Sequence, residues 1–91
     1  MARKLLTVEY PLFVEGRGVG ILPVLVPQGE EVFHKGDPID IKFPDGRITR
    51  TQIADLSIPT PNPNLGCIIL LPRSFEKGDV PVGAELWSVD S

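Results

Sequence analysis

The stretch Phe13-Val14-Glu15-Gly16-Arg17-Gly18-Val19-Gly20 joins a run of strand-forming residues to three glycines at alternate positions, with one arginine among them. Glycine accepts positive φ and lets another backbone come close, so in a β context this spacing predicts a sharply bent strand pair. The glycines do not form a nucleotide loop. The amphipathic helix that must follow a dinucleotide fingerprint is missing, and so is the Gly-Lys-Ser/Thr ending of a phosphate-binding loop.

On the N-terminal side of this corner, Leu6, Val8, Tyr10, Leu12 and Val14 share one parity, as the inward face of a single strand over residues 4–14 would. Pro11 lacks a ladder donor and belongs at an edge or a bulge. On the C-terminal side, residues 19–26 are apolar, are broken by Pro23 and close at the turn Pro27-Gln28-Gly29. A second turn, Lys35-Gly36-Asp37-Pro38, leads into Ile39, Ile41 and Phe43 alternating with Asp40 and Lys42. Phe43-Pro44-Asp45-Gly46-Arg47 has the residues of a tight hairpin turn, so the returning strand pairs antiparallel with residues 39–43. Ile48 and Ile53 fall on opposite parities in that return, which predicts a bulge or bend near residues 50–52.

Further along, Pro59-Thr60-Pro61-Asn62-Pro63-Asn64 reads as an extended surface loop, because prolines at alternate positions exclude helix and leave few ladder donors. Gly66-Cys67-Ile68-Ile69-Leu70-Leu71 is a continuous apolar run of strand length, central in the core and ended by Pro72. Residues 73–83 are polar and turn-rich. Residues 84–89 form a last strand, with Leu86 and one of Trp87 and Val89 inward. No window of roughly 11 residues sustains a 3.6-residue period. Lys35-Gly36-Asp37 recurs as Lys77-Gly78-Asp79, two matching turns that do not make a repeat architecture. The whole, residues 1–91, reads as one all-β domain, a small six-stranded antiparallel barrel, because closure removes the edges that a small open sheet leaves exposed.

Composition bounds the function classes. The 91 residues include 42% hydrophobic and 23% charged side chains, which indicates neither a disordered chain nor a membrane protein. The formal charge of −3 offers no general attraction to a nucleic-acid backbone, so any such binding needs a local basic patch. A single cysteine, Cys67, cannot form an internal disulfide, which favours a cytoplasmic setting. The start Met1-Ala2-Arg3-Lys4-Leu5-Leu6 is interrupted by Thr7 and Glu9 before it could serve as a signal peptide. No run of about 18 apolar residues is present to span a bilayer.

Catalytic residues are not expected. Cys67 sits among apolar residues that suppress its thiolate, His34 lies beside a turn, and one His with one Cys cannot supply the ligands that zinc requires. The acids Glu30 and Glu31, Asp37 and Asp40, and Glu76 and Asp79 read as solvated turn residues. No cofactor is implied. The residues expected to bind a partner are Arg17, whose flanking glycines let a backbone or phosphate approach its guanidinium, and Arg73 with Phe75, a cation beside a stacking ring. Each also has a structural reading: Arg17 as a brace of the glycine corner, and Arg73 with Phe75 as a capped strand end whose ring is tucked into the barrel mouth.

The motifs in their order resemble the second domain of translational GTPases such as elongation factor Tu, a six-stranded β-barrel. The resemblance rests on Gly16-Arg17-Gly18, the returning residues 24–29, Gly36-Asp37-Pro38-Ile39-Asp40-Ile41, residues 66–71, Pro72-Arg73-Ser74-Phe75 and Gly83-Ala84-Glu85-Leu86, and it covers nearly the whole chain. The chain departs from the pattern at Gly18-Val19-Gly20-Ile21-Leu22-Pro23 and at Val82, where the family often has Arg. It also lacks the GTPase phosphate loop, so no GTP hydrolysis is expected. The resemblance implies a free-standing, noncatalytic barrel that docks on a protein or ribonucleoprotein partner. The alternative is an accessory subunit or small enzyme with a small ligand at the barrel mouth.

Overall fold

The structure, a computed structural model, describes residues 2–29, 31–58 and 66–89. Its regular elements are strands β1 (Lys4–Thr7), β2 (Tyr10–Val14), β3 (Gly18–Leu25), β4 (Pro38–Lys42), β5 (Ile48–Gln52), β6 (Asp55–Ser57), β7 (Cys67–Leu70) and β8 (Glu85–Ser88), with one 3-10 turn at Lys77–Asp79. Every strand pair is antiparallel. The pairs make two four-stranded sheets, ordered β1-β8-β4-β5 and β2-β3-β7-β6. The expected all-β class therefore holds, and the described residues form eight short strands in two sheets against the six strands expected. The extended loop expected at residues 59–64 lies outside the described residues.

The extra strands arise because two segments cross from one sheet to the other. Val8 still bonds to the first sheet, donating its N–H to Ala84 O (2.7 Å) and accepting from Gly83 N–H (2.9 Å), while Glu9 N–H already bonds to Leu22 O of β3 (3.0 Å). This crossing corrects the inward parity expected for residues 4–14. Leu6 and Val8 are buried, but Tyr10 and Leu12 are exposed, because in the second sheet they stand opposite Leu22 and Gly20, on the face away from buried Val19 and Ile21. Pro11 sits in that edge strand, where a missing donor is tolerated.

The second crossing falls at Ile53. Its N–H bonds to Asp37 O (2.9 Å) and its carbonyl accepts from Gly36 N–H (2.7 Å), whereas Ala54 N–H bonds to Leu70 O of β7 (2.9 Å). No bulge is found near residues 50–52, since β4 and β5 pair without a break from Pro38↔Gln52 to Lys42↔Ile48. Both parities are used instead: Ile53 is fully buried, and Ile48 lies opposite Lys42 on the outer face, 59% exposed.

Between the sheets lies one apolar cluster built from Leu6, Val8, Val19, Ile21, Leu25, Ile39, Ile41, Ile53, Ile69, Leu71 and Leu86, with Cys67, Val80 and Ala84 completing it. The run at residues 66–71 is central as expected, with β7 flanked by β3 and β6. Cys67 acts as a small apolar side chain, and burial pushes its thiol pKa up. Leu86 faces the core, but Trp87 lies on the outer face with Lys42 Nζ 3.9 Å from its ring centroid. Val89 lines a shallow cavity with Leu5, Phe33 and Ile39.

Glu31 fastens the connection that precedes β4 to the N-terminal strand. Arg3 donates to it through Nε (2.7 Å) and Nη2 (2.6 Å), and Gln28 N–H donates to the same carboxylate at 2.8 Å. These bonds, the arginine's first, hold the Glu31 pKa down at about 2. A carboxylate depressed in this way stabilises the fold fully above its ordinary pKa of 4.5 and loses that contribution as pH falls towards 2. Urea denaturation across that window should show wild-type stability falling with acidification and a Glu31→Gln variant falling less steeply. An unchanged slope would mean that the latch does not form.

Gly66, at the head of β7, has φ +117, and a Cβ there would lie 2.8 Å from Val24 Cγ2. Gly66→Ala should therefore cost about 2 kcal/mol or more, combining left-handed strain with a clash against Val24, as measured by urea denaturation.

A cleft at the glycine hairpin

The glycine corner is the β2–β3 hairpin, with Val14 opposite Gly18. Its turn is closed by Arg17 N–H bonding to Val14 O at 2.9 Å. Gly16 has φ +79, and no residue other than glycine has positive φ among those described, which is the signature of a type II turn with glycine in its third position. Gly18, itself at φ +108, and Gly20 serve close approach. A Cβ on Gly18 would lie 3.2 Å from Leu71 O, and one on Gly20 3.2 Å from Ile68 Cγ2.

Arg17, and Arg73 with Phe75 more than fifty residues further along the chain, line one cleft of about 510 Å³ together with Phe13, Gly16, Gly18 and Glu76. The hairpin turn presents Arg17, the turn that follows β7 presents Arg73, and Phe75 follows directly, half-buried and packed against the core cluster. Phe13, 61% exposed, forms the outer wall. A neighbouring cleft of about 390 Å³, between Phe43, Arg47 and Asp79, shares Phe75 as a wall.

The two arginines are held differently. Arg17 Nη2 donates to Asp55 Oδ2 at 2.7 Å, tying the hairpin to β6, and this bond leads the causes that lower the Asp55 pKa. Arg73 Nη2 donates to the carbonyl of Gly16 at 2.6 Å, and among the described residues it has no carboxylate partner. Arg73 thus presents its charge in the cleft with no carboxylate bonded to it, while Arg17 shares its charge with Asp55.

His34 and Cys67 are engaged elsewhere. His34 is exposed at a turn, where its N–H donates to Asp37 Oδ2 at 2.8 Å, and Cys67 Sγ lies 3.7 Å from Leu25 O inside the core. Among the described residues no three metal-ligating side chains converge. Sequence reasoning missed Phe13 as a lining residue and Asp55 as the partner of Arg17. Phe13 stands opposite buried Val19 on the inner side of the edge strand β2 and is left exposed there, and nothing local marks either residue.

Fold and cleft together define a small two-sheet β protein with an aromatic and cationic cleft beside one hairpin. No protein-family model, curated protein or solved structure gives a significant match to this chain.

The Arg17–Asp55 pair is more than a third exposed on both sides, so its removal has a small effect. Arg17→Ala should lower unfolding free energy by less than about 1 kcal/mol. A larger loss by urea denaturation would make Arg17 chiefly a brace of the corner.

Proposed function

We propose that this chain is a noncatalytic docking module, a stand-alone barrel of the translation-factor second-domain type that takes a protein or ribonucleoprotein partner at the glycine-hairpin cleft. The observation that carries the reading is the gathering of Arg17, Arg73 and Phe75, with exposed Phe13, around one cleft. Rings and a charge-retaining guanidinium on a rigid sheet end suit an anionic, partly planar or apolar group.

Support for the barrel comes from the two sheet crossings. If β1 with β2 and β5 with β6 are each taken as one bent strand, the neighbours run β1/β2, β8, β4, β5/β6, β7, β3 and back to β2. That is a ring of six. A small ligand at the same mouth is the second reading, favoured by the cleft volume of about 510 Å³, which falls within the range of small-molecule pockets.

Capture from a cell lysate by wild-type protein and by an Arg73→Ala/Phe75→Ala variant, followed by mass spectrometry, separates these readings. A macromolecule retained by the wild type and lost from a folded variant supports docking. A small molecule in the native mass spectrum of the purified wild type, with no macromolecule retained, supports the ligand pocket. Equal capture by both proteins would sink the cleft as the docking surface.

A further inference from the structure

Each sheet ends in two edge strands, and a free edge is a template for another strand unless something blunts it. Three of the four edges here are blunted. β1 is four residues long with a register shift between Lys4 and Leu6. β2 carries Pro11, and β6 has only three residues. β5, Ile48-Thr49-Arg50-Thr51-Gln52, is different. It pairs with β4 in unbroken register, contains no proline, and is rich in β-branched residues.

The hydrogen-bond phase of β5 states what its open side offers. Phe43 N–H bonds to Arg47 O (2.8 Å) and Ile53 N–H to Asp37 O (2.9 Å), so residues 47 and 53 face β4, as do Thr49 and Thr51 between them. The N–H and C=O groups of Ile48, Arg50 and Gln52 therefore point away from the sheet, with β5 last in its order. The side chains of the same three residues stand on the outer face, because Ile48 and Arg50 lie opposite Lys42 and Asp40.

We propose that β5 is a strand-addition site for an extended segment of another protein that places an acidic residue beside Arg50. Charge selects this occupant over a second copy. The two-fold antiparallel register that satisfies all the outward groups sets Arg50 directly opposite Arg50 of the copy, a like-charge pair. An acidic residue there meets a guanidinium that is 62% exposed. Arg50 spends Nε and Nη2 on Asp40, at 2.5 and 3.4 Å, which leaves the Nη1 donors for a second carboxylate. Ile48, exposed beside it, offers apolar contact to a β-branched neighbour. The site is independent of the hairpin cleft, since none of its residues lines that cavity.

The test uses amide hydrogen exchange and nitrogen–proton correlation spectra of the whole chain titrated with the capped peptide Thr-Val-Thr-Glu-Thr-Val-Thr. In the free protein, Thr49 and Thr51 amides should already be protected and those of Ile48, Arg50 and Gln52 should exchange freely. The peptide should slow exchange and shift resonances at those three. A control peptide with Lys in place of Glu should bind roughly three- to fivefold more weakly, the span of an exposed ion pair. Arg50→Gln should abolish that preference while keeping the strand, and Arg50→Pro, which deletes the central outward donor without touching the β4 ladder, should abolish binding. The proposal is overturned if the three amides do not respond, or if both peptides act equally on the wild type. It is also overturned if the amides become protected with protein concentration alone, which would make a second copy the occupant.

Discussion

The fold depends on burying one apolar layer between two sheets that share the same chain at two crossings. At Val8-Glu9 and at Ile53-Ala54, one residue bonds to the first sheet and the next to the second. Val8 and Ile53 are both buried at these points, so each crossing is fixed by hydrogen bonds and by core packing together. A polar side chain at either would lose apolar burial worth roughly 1.5–3 kcal/mol and strand a polar group in the core as well. The side-chain period of two depends on which sheet a residue serves, and the crossings therefore determine which face every later residue occupies.

Charge serves chiefly as a set of peripheral latches. Arg3 holds Glu31 and Arg17 holds Asp55 across distant segments, whereas Arg47 holds Asp45 within one turn and Arg50 holds Asp40 across the β4–β5 ladder. Among the described residues no charged or polar side chain is buried, which spares the fold the desolvation cost that interior ions carry. Arg73 is the exception among the arginines, fixed by a carbonyl that orients the guanidinium without neutralising it. Its position beside Phe13 and Phe75 gives the cleft a polarity that the net negative charge of the chain does not suggest.

The cleft and the β5 edge are different kinds of surface on one scaffold. The cleft is formed by side chains from two turns and is shaped by glycines, whose missing Cβ atoms let the hairpin sit against Leu71 and Ile68. The β5 edge is formed by backbone groups and is defined by hydrogen-bond phase. The first suits recognition of a group, the second recognition of an extended chain.

By itself the sequence determined the all-β class, the β2–β3 and β4–β5 hairpins and the central apolar strand, because glycine spacing, the Asp45-Gly46 turn and the run at residues 66–71 act through local sterics and solvent exclusion. It also singled out Arg17, Arg73 and Phe75, which line one cleft. Only the tertiary structure decided where the chain changes sheets, which exposes Tyr10 and Leu12, turns Trp87 outward and leaves Ile48 and Ile53 on opposite faces without a bulge. It alone selected Asp55 as the partner of Arg17 and the carbonyl of Gly16 as that of Arg73. The reason is physical. A period of two reports that a strand has two faces but not which sheet it joins, and an ion pair between residues 38 positions apart is set by strand order, which no local pattern encodes.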